Sequence, residues 1–128
     1  MHEDPLIRSS ADAVSLMQPH LEALDYEEFW VLMLSRANRV KYRRCISQGG
    51  TAATVVDVKL LLKRAVDCLA EGIILVHNHP SGNPVPSGQD DALTRKIKEG
   101  AALLDIRVLD HIIIARGNHY SYTDNGRL

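Results

Sequence analysis

The sequence predicts an α/β fold, a mixed β-sheet flanked by helices. Three observations carry this. Segments with helical spacing of apolar residues alternate with short apolar runs, in the order helix, two strands, helix, strand, helix, two strands. One of those runs, Ile73-Ile74-Leu75-Val76, is continuous and rich in β-branched residues, the mark of a strand buried on both faces. At 128 residues, 45% hydrophobic and 24% charged, the chain suits a single domain, residues 1–128, around one core.

The elements follow in order. Residues 10–24 read as a helix: Ser9, Ser10 and Asp12 are caps, and Ala13, Leu16, Met17, Leu21 and Leu24 recur at helical spacing. The run Phe29-Trp30-Val31-Leu32-Met33-Leu34 is short and aromatic, and reads as a buried strand. After a turn at Ala37-Asn38, residues 39–47 alternate Val40, Tyr42 and Ile46 with charged residues, which predicts a hairpin partner with one wet face. Gly49-Gly50 breaks the chain. Asp57 then caps a helix whose stripe is Val58, Leu61, Leu62, Ala65, Val66 and Leu69, with Gly72 as its stop. The strand at Ile73 ends in His77-Asn78-His79-Pro80 and a Gly/Pro/Ser/Asn loop. A helix over residues 87–104, a strand over 106–115, a turn at Gly117-Asn118 and a returning strand over 119–123 complete the chain.

Composition excludes several classes. The net charge of -1 provides no global field to attract nucleic acid. Cys45 and Cys68 form no C-x-x-C pair, which argues against thiolate zinc and a disulfide framework and for a reducing, cytoplasmic setting. The first ten residues are polar and lack the apolar core of a secretory signal, and no apolar run reaches membrane-spanning length.

The chemistry concentrates after the third strand. His77 and His79 are two residues apart, and a strand repeats its facing every two residues, so both imidazoles point to one side. Pro80 holds His79 in extended backbone. Two neutral imidazoles on one face make half of a tetrahedral zinc site. Ser87 precedes the next helix and Asp90 lies in its first turn, where a carboxylate closes the site and leaves a fourth position for water. Zinc in such a site lowers the pKa of that water to about 7. On the residues alone, two plainer readings stay open. A histidine pair beside a loop is as often polar surface, and Ser87 with Asp90 is also S-x-x-D, a helix-capping pattern.

Written out, His77-Asn78-His79-Pro80, six residues, Ser87, two residues and Asp90 give H-x-H-P-x6-S-x-x-D. This resembles the signature of the JAMM, or MPN-type, metallopeptidases. His77-Asn78-His79-Pro80-Ser81-Gly82 and Asp105-Ile106-Arg107-Val108-Leu109-Asp110-His111 resemble the RadC family, over about residues 27–128. The resemblance implies a mixed sheet between helices, similar in outline to the cytidine deaminases. It implies a zinc-dependent peptidase or isopeptidase that cleaves a peptide or amide bond with metal-activated water. Its zinc ligands would be His77, His79 and Asp90, with Ser87 stabilising the oxyanion. A glutamate early in the first strand would act as general base and then acid. Adjacent strand residues face opposite sides, so only one of Glu27 and Glu28 reaches the metal. The family spacing ahead of Phe29 selects Glu27 and leaves Glu28 an exposed strand-end carboxylate. Members of the family usually carry an N-terminal region resembling a helix-hairpin-helix. This chain has no room for one before the metal domain, and is expected to be a fragment or a short, domain-only relative.

Arg36, Arg39, Lys41, Arg43 and Arg44 form the main basic cluster. Only Tyr42 interleaves with them, so they read as a solvated strand face rather than a stacking platform. His111 reads as a core histidine with its bonds satisfied, His119 as exposed, and Cys68 as packing. The expected partner is a peptide or protein substrate, with weak nucleic-acid affinity, no membrane and an oligomeric state left open. The competing function is a DNA-repair-associated nucleic-acid-binding module with a non-catalytic zinc site. A zinc deaminase is a third, but its H-x-E and P-C-x-x-C signature is absent.

Overall fold

The computed structural model describes residues 3–51 and 55–128. Among the described residues three helices, α1 (Ser10–Leu21), α2 (Val58–Asp67) and α3 (Gly88–Leu103), surround five strands, β1 (Glu28–Leu34), β2 (Val40–Gln48), β3 (Gly72–Asn78), β4 (Arg107–Ala115) and β5 (Asn118–Ser121). The strands form one mixed sheet in the order β2-β1-β3-β4-β5. β1 pairs antiparallel with both β2 and β3, β3 pairs parallel with β4, and β4 pairs antiparallel with β5. A parallel pair needs a crossover, which α3 supplies.

The sheet is covered on both faces, so strand alternation feeds two cores rather than the one expected. Phe29, Val31, Met33, Ile73 and Leu75 pack with Leu61 and Ala65 of α2 and Leu93, Ile97 and Ala101 of α3. Leu32, Leu34, Ile74, Val76, Ile112 and Ile114 pack with Ala13, Val14, Met17 and Leu21 of α1. β3 lies at the centre and every one of its residues is buried, as its unbroken apolar run predicted. Gly100 lets α2 and α3 approach closely, because a Cβ there would lie 2.9 Å from Leu62 Cδ1.

Several boundaries differ from the sequence reading. α1 ends at Leu21, not 24: Pro19 lacks the N–H that would bond back to Ser15, which weakens the last turn. α2 ends at Asp67. Leu69 adopts φ 52° and the Ala70 N–H bonds to the Ala65 carbonyl, a left-handed C-terminal cap. Leu69 is therefore 82% exposed instead of part of the buried stripe. Gly72, expected as the helix stop, opens β3, where a Cβ would crowd Leu109 Cδ1 at 3.2 Å. β2 does not bury one clean face. It lies at the sheet edge, its pairing with β1 is irregular at two points, and Tyr42 is exposed while Val40 is buried. β5 ends at Ser121, and the turn before it falls on Arg116-Gly117, with Gly117 at φ 69°.

Among the described residues, no helix is long and apolar enough to cross a membrane. Both cysteines are free, and the Cys68 thiol packs against Met33 Sδ at 3.6 Å.

Candidate metal centre

The end of β3 and the start of α3 meet at one cleft, because the crossover helix begins at the carboxyl end of β3 before running back to the start of the parallel strand β4. His77 is the penultimate residue of β3 and is fully buried. His79 follows the strand; its N–H bonds to the Ile114 carbonyl, which extends the parallel pairing by one step. Asp90 is the third residue of α3 and is 4% exposed. Ser87 is the N-cap: its Oγ accepts from the Asp90 N–H at 3.0 Å, and the Asp90 carboxylate accepts from the Ser87 N–H at 3.0 Å. The reciprocal cap and the site residues are therefore the same pair. The capping oxygen, Asp90 Oδ2, is also the one that faces His79 Nε2, at 3.2 Å.

Three side-chain donors converge. His77 Nε2 lies 3.1 Å from His79 Nε2 and 3.5 Å from Asp90 Oδ1, and His79 Nε2 lies 3.2 Å from Asp90 Oδ2. A carboxylate oxygen of Glu27 and a ring nitrogen from each of His77 and His79 lie within 4.8 Å of one another. Register explains the arrival of Glu27. Phe29 pairs with His77, so two residues further back Glu27 stands opposite His79, on the same face. Glu27, His79, Pro80, Ser81, Ser87, Gln89 and Asp90 line a cleft of about 300 Å³. A larger groove, about 770 Å³, lies at the far end of α3 between Lys98, Ala102, Ile106 and Leu128, and offers no imidazole or thiol.

The imidazoles are held from behind. His77 Nδ1 contacts His111 Nε2 at 2.8 Å, and His111 Nδ1 contacts Thr94 Oγ1 at 2.6 Å. Thr94 Oγ1 donates to the Asp90 carbonyl at 2.7 Å. His79 Nδ1 contacts the Asn83 carbonyl at 2.9 Å, so that nitrogen carries the proton. Phe29 stacks on His77, and Tyr122 stacks on His111 with 5° between the ring planes. Burial disfavours a charge on His111, as does the neighbouring His77, and its pKa falls well below the ordinary value. Burial alone would raise the Asp90 pKa, but the imidazoles of His77 and His79 beside it hold it well below the carboxylate range. Burial works against a charged His79, yet Asp90 and the Asn83 carbonyl hold its pKa above the ordinary value.

Glu28 corrects the sequence reading. It is 3% exposed, not a solvent-facing strand end, and it points to the α1 side of the sheet. There it meets His20 Nε2 at 2.7 Å and accepts from Trp30 Nε1 at 2.9 Å and from Tyr26 Oη and Gln48 Nε2 at 3.1 Å. Asn78, passed over between the two histidines, brackets Glu27: its Oδ1 accepts from the Glu28 N–H at 2.8 Å and its Nδ2 donates to the Tyr26 carbonyl at 2.9 Å. His111 is a core histidine with its bonds satisfied, as expected, but its bonds lead into the site. An imidazole on an otherwise apolar strand was the available signal.

A family model described as a RadC-like JAB domain matches residues 7–127. The chain belongs to that family. The RadC-like match extends beyond the stretch from Glu27 onward that carries the motif, and takes in α1, which covers a whole face of the sheet. A protein of Flavobacterium johnsoniae named only as a UPF0758 protein is 47% identical over 120 residues, 94% of this chain and 52% of that protein. Proteins of the same designation from Porphyromonas gingivalis and Listeria monocytogenes are 42% identical over 123 residues and 37% over 124, covering 95% and 97% of this chain and 54% and 55% of their own lengths. The RadC-like chain thus spans about half the length of the curated relatives it matches.

Proposed function

We propose that this domain is a zinc-dependent hydrolase of peptide or amide bonds, with His77, His79 and Asp90 as the metal ligands. The observation that carries the reading is the convergence of the three groups: His77 Nε2 and His79 Nε2 lie 3.1 Å apart, and the two Asp90 oxygens face them, Oδ1 at 3.5 Å from His77 and Oδ2 at 3.2 Å from His79. Tetrahedral bonds of about 2.0–2.1 Å to zinc set neighbouring donor atoms about 3.3 Å apart. The chemistry of the set agrees. Two imidazole nitrogens and a carboxylate facing one point repel one another unless a cation or a shared proton lies between them. Three protein ligands also suit a catalytic rather than a structural zinc.

Zinc held there supplies a Lewis acid that polarises a carbonyl and makes water nucleophilic near neutral pH. Glu27, on the same face as the ligands, takes a proton from the attacking water and returns it to the leaving nitrogen. The Ser87 oxygen accepts at the helix cap, so its own proton is available to donate to the substrate oxygen as that oxygen gains charge. The basic cluster supports weak nucleic-acid affinity rather than a repair module: Arg36, Arg39 and Lys41 pair with Glu71, Glu3 and Asp4.

Elemental analysis of the purified chain, with Asp90→Ala beside it, tests the ligands: about one zinc per chain is expected, lost in the variant. Cleavage of a peptide library tests the reaction, with a chelator and Glu27→Gln as controls. Wild type free of metal at neutral pH overturns the ligand assignment, and cleavage that survives both controls overturns the mechanism.

A further inference from the structure

We propose that His111 is a positioning residue that fixes the tautomer of His77 and thereby selects Nε2 as the atom His77 offers to a metal. This deepens the metal reading and rests on it. The argument is a count of protons along one chain of contacts: the Asp90 carbonyl, Thr94 Oγ1, the two nitrogens of His111, and His77 Nδ1.

A hydroxyl has one proton, and Thr94 Oγ1 touches both the Asp90 carbonyl at 2.7 Å and His111 Nδ1 at 2.6 Å. A carbonyl never donates, so the Thr94 proton must point to Asp90 for that contact to be a hydrogen bond. The His111 contact then needs its proton from His111 Nδ1. A neutral His111 consequently has a bare Nε2, and this nitrogen faces His77 Nδ1 at 2.8 Å. The remaining proton must sit on His77 Nδ1, which leaves His77 Nε2 bare and turned toward His79 and Asp90. The reverse assignment sends the Thr94 proton to His111. It leaves two acceptor oxygens 2.7 Å apart with nothing between them, and it puts a proton on His77 Nε2, where a ligand lone pair is required. Only the first assignment places one proton in each contact.

The placement is built into the fold. His111 pairs with Leu75 across the parallel β3–β4 ladder, two pairings before that of His77 with Ile113, so the two rings are diagonal neighbours on one face. Thr94 is one turn along α3 from Asp90. The relay therefore begins at the backbone of one metal ligand and ends at the ring of another. Tyr122 and Phe29 pack against the His111 ring, which holds it in line.

The test has two arms. In metal-free wild type, long-range ¹H–¹⁵N correlation spectra of the histidine rings should show His77 protonated at Nδ1 and unprotonated at Nε2. In the second arm, zinc affinity is measured by competition with a chromogenic chelator. His111→Phe keeps the ring stack on Tyr122 but removes the acceptor, and should mix the His77 tautomers and weaken zinc binding about 10- to 100-fold, the usual effect of losing such a partner. His111→Gln, whose amide oxygen can accept from His77 Nδ1, should recover most of that affinity. Thr94→Val probes the far end without touching either ring, and should weaken zinc less than His111→Phe. A wild-type His77 protonated at Nε2, or a folded His111→Phe that binds zinc within about twofold of wild type, overturns the proposal. Should wild type bind no zinc at all, the metal reading fails by itself, and the His77 tautomer still decides the relay.

Discussion

Glu27 and Glu28 are adjacent, identical in chemistry, and placed on opposite faces of the same strand end. The Glu28 carboxylate is saturated: His20, Tyr26, Trp30 and Gln48 all contact it. The face occupied by Glu27 is built the other way round, with imidazole nitrogens and carboxylates turned toward each other. A carboxylate ringed by donors has its charge compensated within the protein and serves the fold. The imidazoles of His77 and His79 and the Asp90 carboxylate instead turn lone pairs toward one another, an arrangement that a cation would stabilise.

Substitutions on the two faces should therefore fail differently. The largest effect expected is that of Glu27→Gln on turnover, a fall of about 10²–10⁴, the usual contribution of a general base. Its zinc content and urea midpoint should stay near wild type. A large drop in stability would make Glu27 the same kind of residue as Glu28 and would break the contrast.

Glu28→Ala should do the reverse. Removing a buried carboxylate strands its donors and costs about 3 kcal/mol by urea denaturation, with zinc content unchanged. The pH dependence sharpens the point. Burial pulls the Glu28 pKa up, but the bonds from Trp30, His20 and Tyr26 outweigh it and hold the pKa below 4.5. A carboxyl depressed on folding contributes stability above its unfolded pKa and loses it as pH falls through the folded one. The stability gap between wild type and Glu28→Gln should thus be widest at neutral pH and shrink below about pH 4.5. A gap that stays constant down to pH 3 would remove Glu28 from the acid response.

Asn78→Ala lies between the two faces. It leaves the Glu28 N–H and the Tyr26 carbonyl unpaired in a site where Asn78 itself is 2% exposed. The expected cost is about 1–3 kcal/mol, with turnover falling further than zinc content because the backbone on both sides of Glu27 is released. Equal losses in both would mean that Asn78 supports the histidines and not Glu27. The smallest effect is a control far from either face. Leu69→Gly removes a left-handed non-glycine residue at φ 52° and should raise stability by about 0.5–1 kcal/mol, with turnover untouched.

What was legible in the sequence followed from short-range rules. The period of two in β3 placed His77 and His79 on one side, S-x-x-D marked the start of α3, and strand parity separated Glu27 from Glu28. What was not legible depended on pairings between distant segments. Glu28 looked exposed because its partners come from α1, the 26–30 stretch and β2, and no local pattern brings His20 and Gln48 together. His111 reads as one more core residue until the β3–β4 register sets it diagonal to His77. Leu69 misled for a different reason. A left-handed cap normally calls for glycine, so the nearby Gly72 attracted the role, while the chain accepted a strained leucine three residues earlier.

The relay through His111 also bears on the order in which the domain becomes competent. His77, His79 and Asp90 lie within one short stretch, which a newly made chain can bring together by local folding alone. The group that sets the protons of His77 lies 34 residues further along, on β4. Until β4 docks beside β3, the imidazole of His77 is free to exchange its proton between its two nitrogens and to offer either one. On the proposed metal reading, a nascent or partly unfolded chain holds the three ligands in an unsorted state, and metallation becomes a late event, tied to closure of the sheet rather than to the appearance of the motif.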